Sequence, residues 1–64
     1  MCESHAYLQK PDGSVELLLE SVDVVEPHDG GLMLTTIFGE QRFVKGRILK
    51  MELVDHKILL EPTE

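Results

Sequence analysis

At 64 residues the chain is one domain, spanning 1–64, with room for only a thin core. Six basic residues against twelve acidic ones leave a net charge of −6, which argues against generic phosphate-backbone binding. The longest apolar runs are three or four residues, far short of the roughly 20 that span a membrane, and a single cysteine excludes a disulfide within the chain. One cysteine and no cysteine framework also point to a reducing, cytoplasmic compartment. The start Met1-Cys2-Glu3-Ser4-His5 shows neither the basic stretch nor the apolar run of a secretory signal.

The first predicted strand alternates Cys2, Ser4, Ala6 and Leu8 on one face with Glu3, His5, Tyr7 and Gln9 on the other. Lys10-Pro11-Asp12-Gly13-Ser14 then reads as a turn, because proline presets φ and Asp-Gly tolerates positive φ. Leu17-Leu18-Leu19 and Val22-Asp23-Val24-Val25 follow. Leu18, Val22 and Val25 also fit helical spacing, but the β-branched valines, Pro11, Pro27 and the glycines favour strands. Pro27-His28-Asp29-Gly30-Gly31 is the next turn. Leu32, Leu34, Thr36 and Phe38 then share a face opposite Met33, Thr35 and Ile37. Past Gly39-Glu40 and Gly46, Leu49, Met51 and Leu53 alternate with Ile48, Lys50 and Glu52. After Asp55-His56, Ile58 and Leu60 alternate with Leu59 and Glu61.

This pattern predicts an all-β fold of six to seven short strands in a small antiparallel barrel or curled sheet. Its predicted core is Val22, Val24, Leu34, Phe38, Leu53 and Leu60. Several strands are apolar on both faces, as at Leu17/Leu18, Leu32/Met33/Leu34, Ile37/Phe38 and Ile58/Leu59. One face fills the core; the other is expected to be covered in a homodimer.

The chemistry-bearing residues point to binding rather than catalysis. Gly30-Gly31 leads into Leu32-Met33-Leu34, not into the Lys-Ser/Thr of a phosphate loop, and neither a Gly-x-Ser-x-Gly nor a His-Glu-x-x-His motif is present. The carboxylates of Asp12, Asp23, Glu26 and Asp29 read as solvated surface. His5, His28 and His56 share no metal-ligand spacing. His28 reads as an exposed turn residue and His56 as the maker of a local hydrogen bond. Alternation puts His5 on the face opposite Cys2. Cys2 is the unusual residue. If Met1 is removed, the Cys2 amine and thiolate close a five-membered chelate; if Met1 stays, its amine converges with the Cys2 amide nitrogen and thiolate, and either donor set suits Ni(II) or Cu(II) in a plane and also Zn(II).

As a whole, the sequence resembles the CooT-type small nickel-binding proteins associated with maturation of nickel-containing carbon monoxide dehydrogenase. The matching features are Met1-Cys2-Glu3-Ser4, Ala6-Tyr7-Leu8, Val22-Asp23-Val24-Val25 and Leu32 to Phe38 followed by Gly39-Glu40. Further on, Val44-Lys45-Gly46-Arg47-Ile48 and Leu53-Val54-Asp55-His56-Lys57-Ile58 match as well. The resemblance implies a β-barrel-like homodimer that binds Ni(II) through Cys2, with Met1 beside it, for a nickel enzyme such as carbon monoxide dehydrogenase. Two such termini at a two-fold axis would supply two nitrogens and two sulfurs. The alternative is a small RNA-binding module using the basic stretch Arg42–Lys50, a label also attached to relatives of this kind.

Overall fold

The computed structural model describes residues 3–63. Among them are six β-strands and no helix: β1 (Ser4–Gln9), β2 (Val15–His28), β3 (Gly31–Thr36), β4 (Gln41–Val44), β5 (Gly46–Glu52) and β6 (Lys57–Pro62). They make one sheet in the order β4-β3-β2-β1-β6-β5. β4 and β5 are thus opposite edges, yet Lys45 alone separates them in sequence. In a flat sheet, five inter-strand steps would hold those edges roughly 24 Å apart. Two Cα steps bridge at most about 7 Å. The sheet therefore has to curl into a half-barrel, and β3 comes into contact with β5 across the seam. Gly46 sits at that seam, buried, where a Cβ atom would lie 2.5 Å from the Glu61 carbonyl oxygen.

The turns follow their residues. Asp29 (φ 46°) and Gly30 (φ 81°) give the β2–β3 hairpin the two positive-φ residues of a tight two-residue loop. Between β1 and β2, the Asp12 carboxylate accepts from the Ser14 N–H (2.8 Å) and hydroxyl (2.6 Å). These bonds, the hydroxyl's first, hold the Asp12 carboxyl below its ordinary range. Between β3 and β4, the buried Thr36 hydroxyl accepts from the Phe38 and Glu40 N–H groups, both at 3.2 Å.

β2 is long enough to serve both halves of the curl. Its first part pairs with β1 and its last part with β3, and the ladder slips on both sides near residue 21. Ser21 lies at this bend with φ 59°, a conformation that costs an L-residue about 1–2 kcal/mol. Ser21→Gly is therefore expected to raise stability by up to about 1 kcal/mol in chemical denaturation, the gain net of glycine's entropy. Ser21→Val should lower it.

The inner face buries Ala6, Val22, Leu32, Leu34, Ile58 and Leu60, with Leu8, Leu18, Leu19, Val25 and Val44 packed against them. Removing this apolar surface from water stabilises the fold by about 25 cal/mol per Å². Val22, Leu34 and Leu60 are core as the alternation predicts; Val24, Phe38 and Leu53 are not. Opposite β3, Val22 pairs with Thr36 and Val25 with Leu34, so the irregularity between them gives the inner face to Val25 and leaves Val24 exposed. Phe38 lies in the turn past the end of β3, and Leu53 in the turn past the end of β5. The all-β curled sheet and six strands are as predicted, but the sheet is mixed. β1 and β6 pair in parallel, with His5 opposite Lys57 and Leu8 opposite Leu60. The crossing at Lys45 brings the chain back to β1 along the far edge, and that return fixes the direction of β6.

Candidate metal centre

Met1 and Cys2, the predicted metal ligands, lie outside the described residues. What the fold defines is the strand they lead into. β1 starts at Ser4, which pairs with Val22 of β2; the next residue, His5, pairs with Lys57 of β6. A relay of hydrogen bonds crosses this point. The Ile37 N–H donates to the Ser21 carbonyl (3.0 Å), the Ser21 N–H to the His5 Nδ1 (3.3 Å), and the His5 N–H to the His56 carbonyl (2.9 Å). The relay gathers the β3–β4 turn, the bend of β2, the start of β1 and the β5–β6 turn at one end of the half-barrel.

The three histidines serve structure. His56 takes a left-handed conformation (φ 54°) to turn the chain between β5 and β6. Its N–H donates to the Leu53 carbonyl at 3.3 Å, so the local hydrogen bond expected of it runs through its backbone. His28 stands exposed at the β2–β3 hairpin, with its Nε2 3.3 Å from the Asp29 carboxylate and its ring edge-on to Phe43 at 6.0 Å. His5 is the histidine at the start of β1, and its Nδ1 is taken by Ser21. Among the described residues, no three His, Cys, Asp or Glu side chains form a group able to hold a metal. Sequence reading missed the acceptor role of His5. No sequence signal marks it: Ser21 stands among other polar residues of β2, between Glu20 and Asp23.

Two cations of the basic stretch are matched by carboxylates. Arg42 on β4 reaches the Leu18 carbonyl (3.3 Å), whereas Arg47 on β5 pairs with Glu61 and Lys50 with Glu52. These strands are the two edges that the curl brings together at Lys45. Apolar exposure extends over β2, β4 and β5, at Val15, Leu17, Phe43 and Met51 among others, and is highest on two turns. Phe38, Leu53 and Val54 are 82%, 76% and 92% exposed, and all three lie on the two turns that the relay draws to the start of β1. Beside Phe38, an open groove of about 360 Å³ runs along Leu17 to Ser21.

Known proteins share this chain's sequence and its fold. The family model for CO dehydrogenase accessory protein CooT matches residues 1–61. The chain belongs to the CooT family. An uncharacterized protein of Methanothermobacter thermautotrophicus is 33% identical over 61 residues, spanning 95% of this chain and 89% of that protein. The crystal structure of a protein assigned as CooT from Carboxydothermus hydrogenoformans superposes with a TM-score of 0.90 at 44% identity, covering 98% of this chain and all of that one. The CooT family is an accessory family of CO dehydrogenase, and nickel enters the reading of this chain through that association.

Proposed function

We propose that this CooT-family protein carries Ni(II) through the Cys2 thiolate and nitrogen atoms at Met1 and Cys2, as a homodimer, and passes the ion to CO dehydrogenase or its maturation proteins. The observation that carries the proposal is the family match, which begins at residue 1 and so includes both donor residues. The chemistry of the donors supports it: thiolate with nitrogen suits nickel, while hard ions such as Mg(II) prefer oxygen. So does the relay, which fixes β1 from both sides at His5, three residues beyond Cys2. The test is a calorimetric nickel titration followed in the near ultraviolet. Binding through the thiolate produces a sulfur-to-nickel charge-transfer band and releases a proton, so affinity falls as pH falls. Nickel binding without that band would remove Cys2 from the site.

Apolar exposure supports the homodimer. A small domain with a thin core gains most from self-association, and Phe38, Leu53 and Val54 crowd the end where β1 begins. A two-fold axis through that end would bring the two Cys2 segments together. In sedimentation at micromolar concentration, the wild type is expected at twice the chain mass and Val54→Asp with Phe38→Asp at the monomer mass. Charged residues at the centre of an interface are left desolvated and unpaired. A double variant that stayed dimeric would place the interface elsewhere. The RNA-binding reading has less support, because two of the four cations in the Arg42–Lys50 stretch, Arg47 and Lys50, are paired with Glu61 and Glu52 and the net charge is −6.

A further inference from the structure

We propose that His5 is a positioning residue for the nickel site: its imidazole supplies the acceptor that the β1–β2 ladder lacks at the bulge, and so holds the strand that begins two residues after Cys2. The inference rests on the nickel reading above for its effect on metal, but its structural basis stands by itself.

Between Ser4 and Ala6 the chain advances two residues, while their partners on β2, Val22 and Leu19, lie three apart. β2 therefore carries one residue too many, and its backbone groups there fall out of register with the carbonyls of β1. Ser21 shows where they go. Its carbonyl accepts from Ile37 across the sheet, and its N–H donates to the His5 ring at 3.3 Å. The ring nitrogen takes the place of a strand carbonyl. Without it, a part-buried N–H would lose its acceptor at the one position where β2 also adopts a left-handed conformation. The backbone N–H of the same histidine donates to the His56 carbonyl at 2.9 Å. His5 thus fastens the start of β1 on both sides, by its side chain to β2 and by its backbone to the β5–β6 turn.

The same geometry separates positioning from ligation. A neutral imidazole that accepts at Nδ1 carries its proton on Nε2. Both nitrogens are then committed, and neither offers a lone pair to a metal. Ligation by His5 would require the Ser21 bond to break.

The experiment compares wild type, His5→Ala, His5→Asn and Cys2→Ser by nickel titration and by hydrogen exchange at the Ser21 amide. Asparagine places its Oδ1 where the imidazole has Nδ1, so it restores the acceptor without restoring a ring. His5→Ala is expected to expose the Ser21 amide to exchange and to weaken nickel binding about two- to tenfold, the worth of one hydrogen bond. The position of the charge-transfer band stays unchanged, because the donors are unchanged. His5→Asn should restore both protection and affinity. If His5→Ala exposes the amide but binds nickel as the wild type does, His5 does not position the site. If His5→Asn restores protection but not affinity, or if His5→Ala shifts the band, His5 is a ligand and the proposal falls. Should Cys2→Ser bind nickel as tightly as wild type, the nickel reading itself fails and takes the positioning role with it. The exchange data would then still decide whether the imidazole holds the bulge.

Discussion

Cys2→Ser is expected to weaken nickel binding by about a hundredfold or more, about 2.8 kcal/mol at 1.4 kcal/mol per decade, and to leave the fold unchanged. Serine keeps the size of the side chain but replaces a soft, readily ionised donor with a hydroxyl that stays protonated at neutral pH. The nitrogen donors remain, so weak binding persists, but the sulfur-to-nickel band disappears. Among the described residues, the buried ones start at Ala6. Thermal denaturation of the apo forms should give superimposable curves. His28→Ala and His56→Ala serve as controls. His28 stands on a distant hairpin, and His56 uses its backbone rather than its ring at this end of the molecule. Loss of tight binding in either one, with Cys2 intact, would overturn the assignment.

The second large effect concerns the fold. Leu34→Ala should cost about 2–5 kcal/mol, because Leu34 is fully buried and its neighbours cannot collapse into the space it leaves. A domain of this size has a total stability on the order of 3–10 kcal/mol. The variant should therefore be partly or wholly unfolded at 37 °C, as circular dichroism at increasing temperature would show. Val24→Ala, only two strand positions from the core residue Val22, should cost less than about 1 kcal/mol. Equal losses at the two positions would contradict the register that turns Val24 outward.

That contrast marks how far the sequence could be read. Alternation identified the inner faces of β1, β3 and β6, where Ala6, Leu32, Leu34, Ile58 and Leu60 are buried as the period of two requires. It failed where the period breaks. The irregularities in β2 and β5 each insert one extra residue, and every alternation counted through them comes out on the wrong face. Phe38 and Leu53 misled for another reason. Each continues the alternation of a strand past its end, Phe38 by two residues and Leu53 by one, where the chain turns with the Thr36 carbonyl accepting from Gly39 and the Leu53 carbonyl from His56. The parallel pairing of β1 and β6 was also hidden, because direction depends on the crossing at Lys45 and no local pattern records it. As for the candidate site, Cys2, which lies outside the described residues, is conspicuous in the sequence because its chemistry belongs to the residue itself. The part of His5 was not, because it arises from a backbone N–H left without a partner sixteen residues further on.

The position of β1 also determines when the site can form. The strand next to Cys2 lies between β2, which follows it directly, and β6, the last strand to be made. Nearly the whole chain has to close a loop before residues 5 and 57 can meet. Pairings that distant in sequence slow folding, because the entropy of closing the loop is lost before any contact repays it. On the ribosome, the β1–β2 hairpin can form early, but its free edge stays open until β6 emerges. The His56 carbonyl that anchors the His5 N–H arrives only with that last segment. A nascent or truncated chain thus carries the cysteine without the scaffold, and in the nickel role proposed above, loading would be a late event that reports a finished molecule.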